Sequence, residues 1–548
     1  MKANSWFLLI FCLLDCALLS SCASSGDGSQ QPPPLSYSIG GMVVNLAGND
    51  LQLQNNGGDT LTVNADGVFT FAKQLASGST YSVTVHTQPS NPAQTCSVTK
   101  GTGTASSDVK SVLVDCGKNE WAWMSGANTA NASAVYGTQG VSAPGNVPGA
   151  RFLGTGWADT MGNLWLFGGE GVDSAGVWGY LNDLWMYNGG EWTWVSGSDA
   201  VNQSGTYGML GIATPGNSPG ARRYAATWTD STGNFWLFGG EGYDSVGTLG
   251  YLNDLWKYNA GQWTWISGSN TVNQTGNYGA LGVPAPDNVP GARRQPLTWS
   301  DPTGNLWFFG GDAYDSEGSE GVINDLWEYS QGHWTWISGA KVINQVGTYG
   351  TEGTPAVGNI PGARWKTTGW IDNSGNLWLF GGSGHDSTAF NVGYLNDLWR
   401  FSGGQWTWVS GSNLVYQGGI CGTKGTPAPL NIPGAREAAT SWSDSNGNLW
   451  LLGGDGDDCF RAGGGQYPLN DLWRYSGGQW TWMSGSDRAF DRGQYGTLGI
   501  AAPGNNPSAR YSAVGWTDAD KNFWVFSGWG TDSTGAQGAL NDLWRYEP

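Results

Sequence analysis

Apolar and polar residues alternate along this chain in short runs that stop at glycine, asparagine and aspartate. Over residues 35–117, Leu61, Val63, Val68, Phe69, Phe71, Tyr81, Val83 and Val85 mark stretches of period two, the spacing of strands with one buried face. Ala65-Asp66-Gly67 reads as a hairpin turn between such stretches. From residue 118 onward the runs come in sets of four. In residues 220–266 the pattern predicts strands at 222–228, 234–238, 254–258 and 263–266. Turns at 230–233 and 259–262 join the first pair and the last pair, and Gly239-Gly240 closes the second strand before a loop.

The set repeats. Asn-Asp-Leu-Trp begins at Asn182, Asn253, Asn324, Asn396, Asn470 and Asn541, at spacings of 71, 71, 72, 74 and 71 residues. Trp-x-Trp begins at Trp121, Trp192, Trp263, Trp334, Trp406 and Trp480, so its first copy precedes every Asn-Asp-Leu-Trp and none follows the last. Long-period self-similarity of four-stranded units predicts a propeller. The offset register predicts a closed ring in which strand 121–124 completes the sixth blade, leaving no open sheet edge. The expected organisation is a signal segment 1–21, a tether 22–34, a small β-sandwich 35–117 and a six-bladed all-β propeller 118–548.

The repeated residues resemble the kelch family: strand, Gly-Gly, loop, Asp-Leu-Trp-x-Tyr, then Trp on the fourth strand. The double glycine stands at Gly168, Gly239, Gly310, Gly381 and Gly453, but Ser527-Gly528 replaces it in the sixth unit, and Phe401 replaces the Tyr in the fourth. The small domain resembles the Ig-like or carboxypeptidase-regulatory-like spacers of bacterial surface lipoproteins. Galactose oxidase carries a similar ring, but its copper site needs a Tyr–Cys crosslink and two histidines. Here only His333 and His385 lie in the ring, and they are expected on opposite faces.

Composition narrows the partners. A formal net charge of −19 gives no electrostatic footprint for nucleic acid or anionic lipid. Lys2 and the apolar run 6–14 have signal-peptide form, and the run is too short to span a bilayer. Leu19-Ser20-Ser21-Cys22 resembles a bacterial lipobox, which implies lipidation at Cys22 and a cell-envelope location, with Ala23 favouring the outer membrane. Membrane contact would then run through the lipid anchor alone. Cys96, Cys116, Cys421 and Cys459 remain, and an even remainder in an exported chain implies two disulfides.

Thirty of the 34 tryptophans recur at fixed places in the unit, which argues for packing between blades. Trp178, Trp365 and Trp529 break the repeat, as do Arg223 and Arg294, which follow the recurrent arginine of their blades, and His385. These six are the candidate ligand-binding residues, on the face where long loops are expected to gather. Asp173, Asp244, Asp315, Asp386, Asp458 and Asp532 recur in the loops. They read as part of a ring of arginine–carboxylate pairs and loop caps, with structural Ca²⁺ as the alternative. No cofactor and no catalytic residue is assigned. The expected function is non-catalytic binding of a glycan or an extracellular protein by a monomer. A polysaccharide-active enzyme using carboxylates of the loop face, or a purely structural envelope protein, are the alternatives.

Overall fold

A computed structural model of the chain describes residues 35–46, 48–90, 94–388 and 391–548. The signal segment, Cys22 and the tether lie outside the described residues. The rest is strands and turns, with no helix among the described residues.

Residues 35–117 form two four-stranded sheets and a two-stranded ribbon. One sheet orders Gly67–Thr70, Ile39–Val44, Val109–Cys116 and Cys96–Thr99; the other orders Asp59–Val63, Leu51–Asn55, Thr80–Thr87 and Thr102–Thr104. Ile39, Val43, Leu51, Leu53 and Val114 are fully buried in a shared core, as expected where period-two strands turn one face inward. Cys96 and Cys116 are direct cross-strand partners and form a disulfide.

The ring has six blades. In blade two an inner strand pairs with Phe235–Tyr243, which pairs with Leu249–Asn259, which pairs with the outer strand Gln262–Ser267. The inner strand comes in two pieces, Arg222–Arg223 and Ala226–Thr229. Blade six is assembled from both ends of the array: Trp121–Ser125 pairs antiparallel with Leu543–Tyr546, Trp123 facing Trp544. Around the axis the six inner strands line a cavity of about 630 Å³ rimmed with hydroxyls such as Thr229, Ser300 and Ser443.

Tryptophans join blade to blade. Trp157 of blade one stacks on Phe235 of blade two at 5.3 Å and donates its Nε1–H to the Trp236 carbonyl at 3.0 Å. Trp516 makes the same bond to Trp165 at 2.9 Å, joining blade six to blade one.

Two features differ from the sequence-based expectation. First, the double glycine does not end the second strand. Gly239 and Gly240 have φ of +61° and +94° and form a bulge, after which pairing resumes to Tyr243. A Cβ on Gly239 would meet the carbonyl oxygens of Leu252 and Arg293 at 2.8 and 2.9 Å. Trp178 and Trp529 therefore open strands rather than sitting in loops, and His385 ends one. Second, the long segment entering each blade does not stand on the loop face. It folds down over that blade's own outer strand: Gly211 N–H donates to Trp265 O at 2.7 Å, and Gly499 N–H to Trp123 O at 2.6 Å. This covers the exposed strand edge that each blade would otherwise present.

Candidate functional site at the axial mouth

Each blade is locked by a buried ion pair. Arg222 Nη1 and Nη2 meet Asp254 Oδ1 and Oδ2, both at 2.8 Å. Arg151–Asp183, Arg293–Asp325, Arg364–Asp397, Arg436–Asp471 and Arg510–Asp542 repeat it. The aspartate also accepts the Tyr207 hydroxyl at 2.6 Å and Trp256 Nε1–H at 2.7 Å. Sequence reasoning missed this aspartate as the arginine's partner. It belongs to Asn-Asp-Leu-Trp, so its recurrence was visible but its role was not. In blade five the tyrosine position is Cys421, which instead forms a disulfide with Cys459.

Locking the arginine aims the next two residues at the axis. The residue after it, Phe152, Arg223, Arg294, Trp365, Glu437 or Tyr511, pairs across the strand with Glu170, Glu241, Asp312, Ser383, Asp455 or Trp529 respectively. The residue after that has left-handed backbone: Leu153, Tyr224, Gln295, Lys366, Ala438 and Ser512 have φ of 50–61°. These residues link blade to blade by main-chain bonds: Tyr224 N–H to Leu153 O at 3.0 Å, Gln295 N–H to Tyr224 O at 2.9 Å, and Ser512 N–H to Ala438 O at 2.9 Å. The mouth of the axis thus has a rigid floor.

On that floor the six blades differ. Blades one to three carry a ladder of alternating charge. Arg223 bridges Glu170 and Glu241, and Arg294 bridges Glu241 at 2.6 Å and Asp312 at 2.9 Å. Tyr180 and Tyr251 donate hydroxyls to Glu241 and Asp312, each at 2.9 Å. Burial works against the Glu241 charge, but Arg223 and Arg294 outweigh it and hold the carboxyl below its usual range. The ladder ends on Trp365, whose ring lies 4.9 Å from the Arg294 guanidinium and 4.4 Å from Lys366 Nζ.

Blades four and five carry a buried carboxyl pair. Lys366 Nζ donates to Glu437 at 2.6 Å, and Tyr394 OH donates to Asp455 Oδ2 at 3.0 Å. Asp455 is 2% exposed and its Oδ1 has no hydrogen-bond partner. Burial, reinforced by Glu437 and opposed by the Tyr394 hydroxyl and Lys366, pushes Asp455 up to about 6.

Blades six and one carry aromatics. Phe152 lies 5.2 Å from Trp529 and 6.1 Å from Trp178, and Trp178 meets Trp529 edge-on at 6.3 Å. Trp178 is 39% exposed and donates its Nε1–H to Glu170 at 2.9 Å.

The mouth therefore gathers Trp178, Trp529, Trp365, Arg223 and Arg294. His385 stands on the blade-four rim, where burial, opposed by Asp386, lowers its pKa and leaves Nδ1 without a partner. The six loop aspartates are not brought together. Asp173 Oδ1 accepts the N–H groups of Ala175 and Val177 at 2.9 and 2.8 Å, and Oδ2 accepts Val201 N–H at 3.2 Å. The other five cap their own turns in the same way. Among the described residues no group of three or more His, Cys, Asp or Glu side chains is placed to hold a metal ion.

No protein-family model matches the chain, and no curated protein matches it. Among solved structures it is similar to YjhT, at 13% identity and a TM-score of 0.40 over 75% of this chain and 96% of that one. It is also similar to a novel fungal alcohol oxidase with catalytic diversity among the AA5 family, in complex with copper. That match has 13% identity and a TM-score of 0.37 over 76% of each chain. A protein of unknown function from Dyadobacter fermentans matches at 10% identity and a TM-score of 0.37 over 78% and 98%. The propeller assignment rests on the strand pairings of this chain alone.

Proposed function

We propose that the chain is an exported, lipid-anchored envelope protein whose propeller binds a glycan at the axial mouth without transforming it. The observation that carries this reading is the asymmetry of the mouth. An arc of Phe152, Trp178 and Trp529 faces outward beside a ladder whose guanidiniums and carboxylates already satisfy one another. Aromatic faces suit the C–H faces of a pyranose, and an ion ladder whose charges are already paired offers hydrogen bonds without demanding a charged ligand. Lipidation of Cys22, and with it the outer-membrane location, rests on the sequence resemblance.

A polysaccharide-active enzyme is the second reading, favoured by one observation: Asp455 is raised to about 6 beside Glu437, a perturbation typical of acid–base sites. Against it, both carboxyls are at least nine-tenths buried and face lysine and tyrosine rather than the opening. The test is a glycan and peptide array probed with the purified full chain, followed by product analysis of each hit. Saturable glycan binding without product supports the module. Product formation that is lost in Asp455→Asn would replace it with the enzyme, and a chain that holds no glycan would leave a protein partner or a structural role.

A further inference from the structure

Blade five breaks the repeat a second time, on the outer rim. The turn after its second strand is pinned by the Cys421–Cys459 disulfide and by Asp458, whose Oδ1 accepts the N–H groups of Phe460 and Arg461 at 2.8 and 2.7 Å. Its Oδ2 accepts Ala489 N–H at 3.2 Å, which ties in the neighbouring segment. These restraints hold five side chains on this stretch of the rim. The Arg488 guanidinium lies 4.7 Å from the Phe460 ring, the Arg461 guanidinium lies 5.3 Å from the Tyr467 ring, and Tyr467 meets Phe490 at 5.9 Å. Phe460 is 63% and Phe490 41% exposed, large values for phenylalanine.

The two arginines are unlike those of the mouth. Arg151, Arg223, Arg294 and their counterparts all have carboxylate partners within the chain. Among the described residues, the Arg461 and Arg488 guanidiniums have neither an ion pair nor a hydrogen bond; they only rest on aromatic faces. Arg400, Arg474, Arg492 and Arg545 also lack an ion pair among the described residues, but Arg400 and Arg474 rest on the buried Trp378 and Trp450, whereas Arg461 and Arg488 are exposed beside rings that are themselves open to solvent, in a chain of net charge −19.

We infer that this patch is a second binding surface, for a carboxylate-bearing polysaccharide of the uronic-acid class. A guanidinium fork matches a carboxylate in a two-pronged, charge-assisted contact. The exposed phenyl faces supply the stacking surface that a pyranose ring uses and that a run of acidic side chains lacks. Each guanidinium lies against an aromatic ring, so a carboxylate and the sugar ring that bears it can be met together. The proposal extends the reading of the ring as a glycan-binding module but uses none of the mouth residues, so either can fail alone.

The test uses the full chain and three probes: polygalacturonate, its fully methyl-esterified form, and polyglutamate, each titrated by calorimetry at low salt and at about 0.5 M salt, where charge interactions are screened within a few ångströms. The parent should bind polygalacturonate, lose most of that binding in high salt, and bind the ester and polyglutamate at least about tenfold more weakly. The Arg461→Gln/Arg488→Gln variant should lose binding by about tenfold or more with an unchanged melting temperature, because both side chains are exposed. Phe460→Ala should lose binding by a smaller factor. Absence of polygalacturonate binding by the parent, or equal binding by the double-glutamine variant, overturns the proposal. Polyglutamate bound as tightly as polygalacturonate overturns the sugar assignment and makes the patch a docking site for acidic protein segments.

Discussion

Arg222 and Asp254 face each other through two parallel hydrogen bonds of 2.8 Å, both side chains 1% exposed or less. Truncating the acid would leave a guanidinium charged and unpaired in the blade. Asp254→Ala should therefore cost about 3–5 kcal/mol. Replacing both partners by apolar residues of similar volume should cost less. Urea midpoints of the two variants check this, and an Asp254→Ala midpoint equal to the parent's would remove the ion pair from the account.

The outer strand of blade six comes from the start of the array, where Trp121–Ser125 pairs with Leu543–Tyr546. A chain lacking residues 1–125 should expose Leu543–Tyr546 as an unpaired edge and associate or aggregate, whereas one lacking only residues 1–34 should stay dispersed. Sedimentation velocity distinguishes them. Equal behaviour of the two truncations would show that closure does not need this strand.

Cys421 occupies the position of Tyr136, Tyr207, Tyr278, Tyr349 and Tyr495, each of which donates its hydroxyl to the blade's buried aspartate. Removing the disulfide by Cys421→Ser/Cys459→Ser frees a loop with a sequence separation of 38 residues. The cost should be about 3–4 kcal/mol in the chain-entropy picture. Cys421→Tyr with Cys459→Ser should recover part of it by restoring the hydroxyl bond to Asp471. Thermal melts of the two double variants decide, and a tyrosine variant no more stable than the serine one would show that the blade no longer accommodates the ring.

Asp455 gives the stability a pH signature. Its folded-state pKa is raised to about 6 by burial, above the ordinary 3.8, so the native state holds the proton more tightly than the unfolded chain. That contribution is fully present below about pH 4 and is lost as pH rises to about 6, an effect of up to about 3 kcal/mol. Asp455→Asn, which keeps an acceptor for the Tyr394 hydroxyl, should be flatter across this window and more stable than the parent at neutral pH. Denaturation curves from pH 4 to 7 test it; identical pH dependence in both proteins would refute the assignment.

The tryptophans divide into two functional kinds. Trp256 is fully buried, and its replacement by alanine should cost about 3–5 kcal/mol. Trp178→Ala, at a half-exposed site, should barely move the melting curve but weaken binding of any glycan found by the array. Titration of one neutral glycan against both variants checks the division. Undiminished affinity in Trp178→Ala and Trp529→Ala would move the search away from the mouth.

The recurrence of Asn-Asp-Leu-Trp and Trp-x-Trp made the propeller legible, because each repeated phrase marks a strand and strands alternate in a way that sequence preserves. Both disulfides were legible for the same reason: an even number of cysteines had to be shared between two well-separated regions. The partner of the recurrent arginine was not. Arg222 and Asp254 are 32 residues apart and meet only because the Gly239-Gly240 bulge shifts the register between the second and third strands. Sequence spacing carries no trace of such a shift. Trp178, Trp529, Trp365, Arg223 and Arg294 could be singled out because they break the repeat, but their grouping into a charged arc and an aromatic arc follows from ring order. Phe152 and Tyr511 stand at the same variable position after the recurrent arginine, which marks them in the sequence, but the contacts of Phe152 with Trp178 and Trp529 follow only from the closing of the ring. The blade-five patch was hidden because Arg461 lies in an insertion that the other units lack, and because Arg488, at the position of Ala200 and Thr271, looks like an ordinary loop substitution until the fold sets it beside Phe460.

The loop that drapes over an outer strand has a consequence for the order of synthesis. In blades one to five the covering segment comes first in the chain, and the strand it will cover follows within the same unit, so each blade can close from its own residues. Blade six inverts the sequence of events. Trp121–Ser125 is the first part of the ring to emerge, yet its cover around Gly499 and its partner Leu543–Tyr546 are the last. Asn505 Nδ2–H reaches Trp121 O across 384 residues, so this contact can form only when nearly the whole ring is present. Until then the first strand waits alone, held beside a small domain that can fold ahead of it, and the ring locks in a single late step.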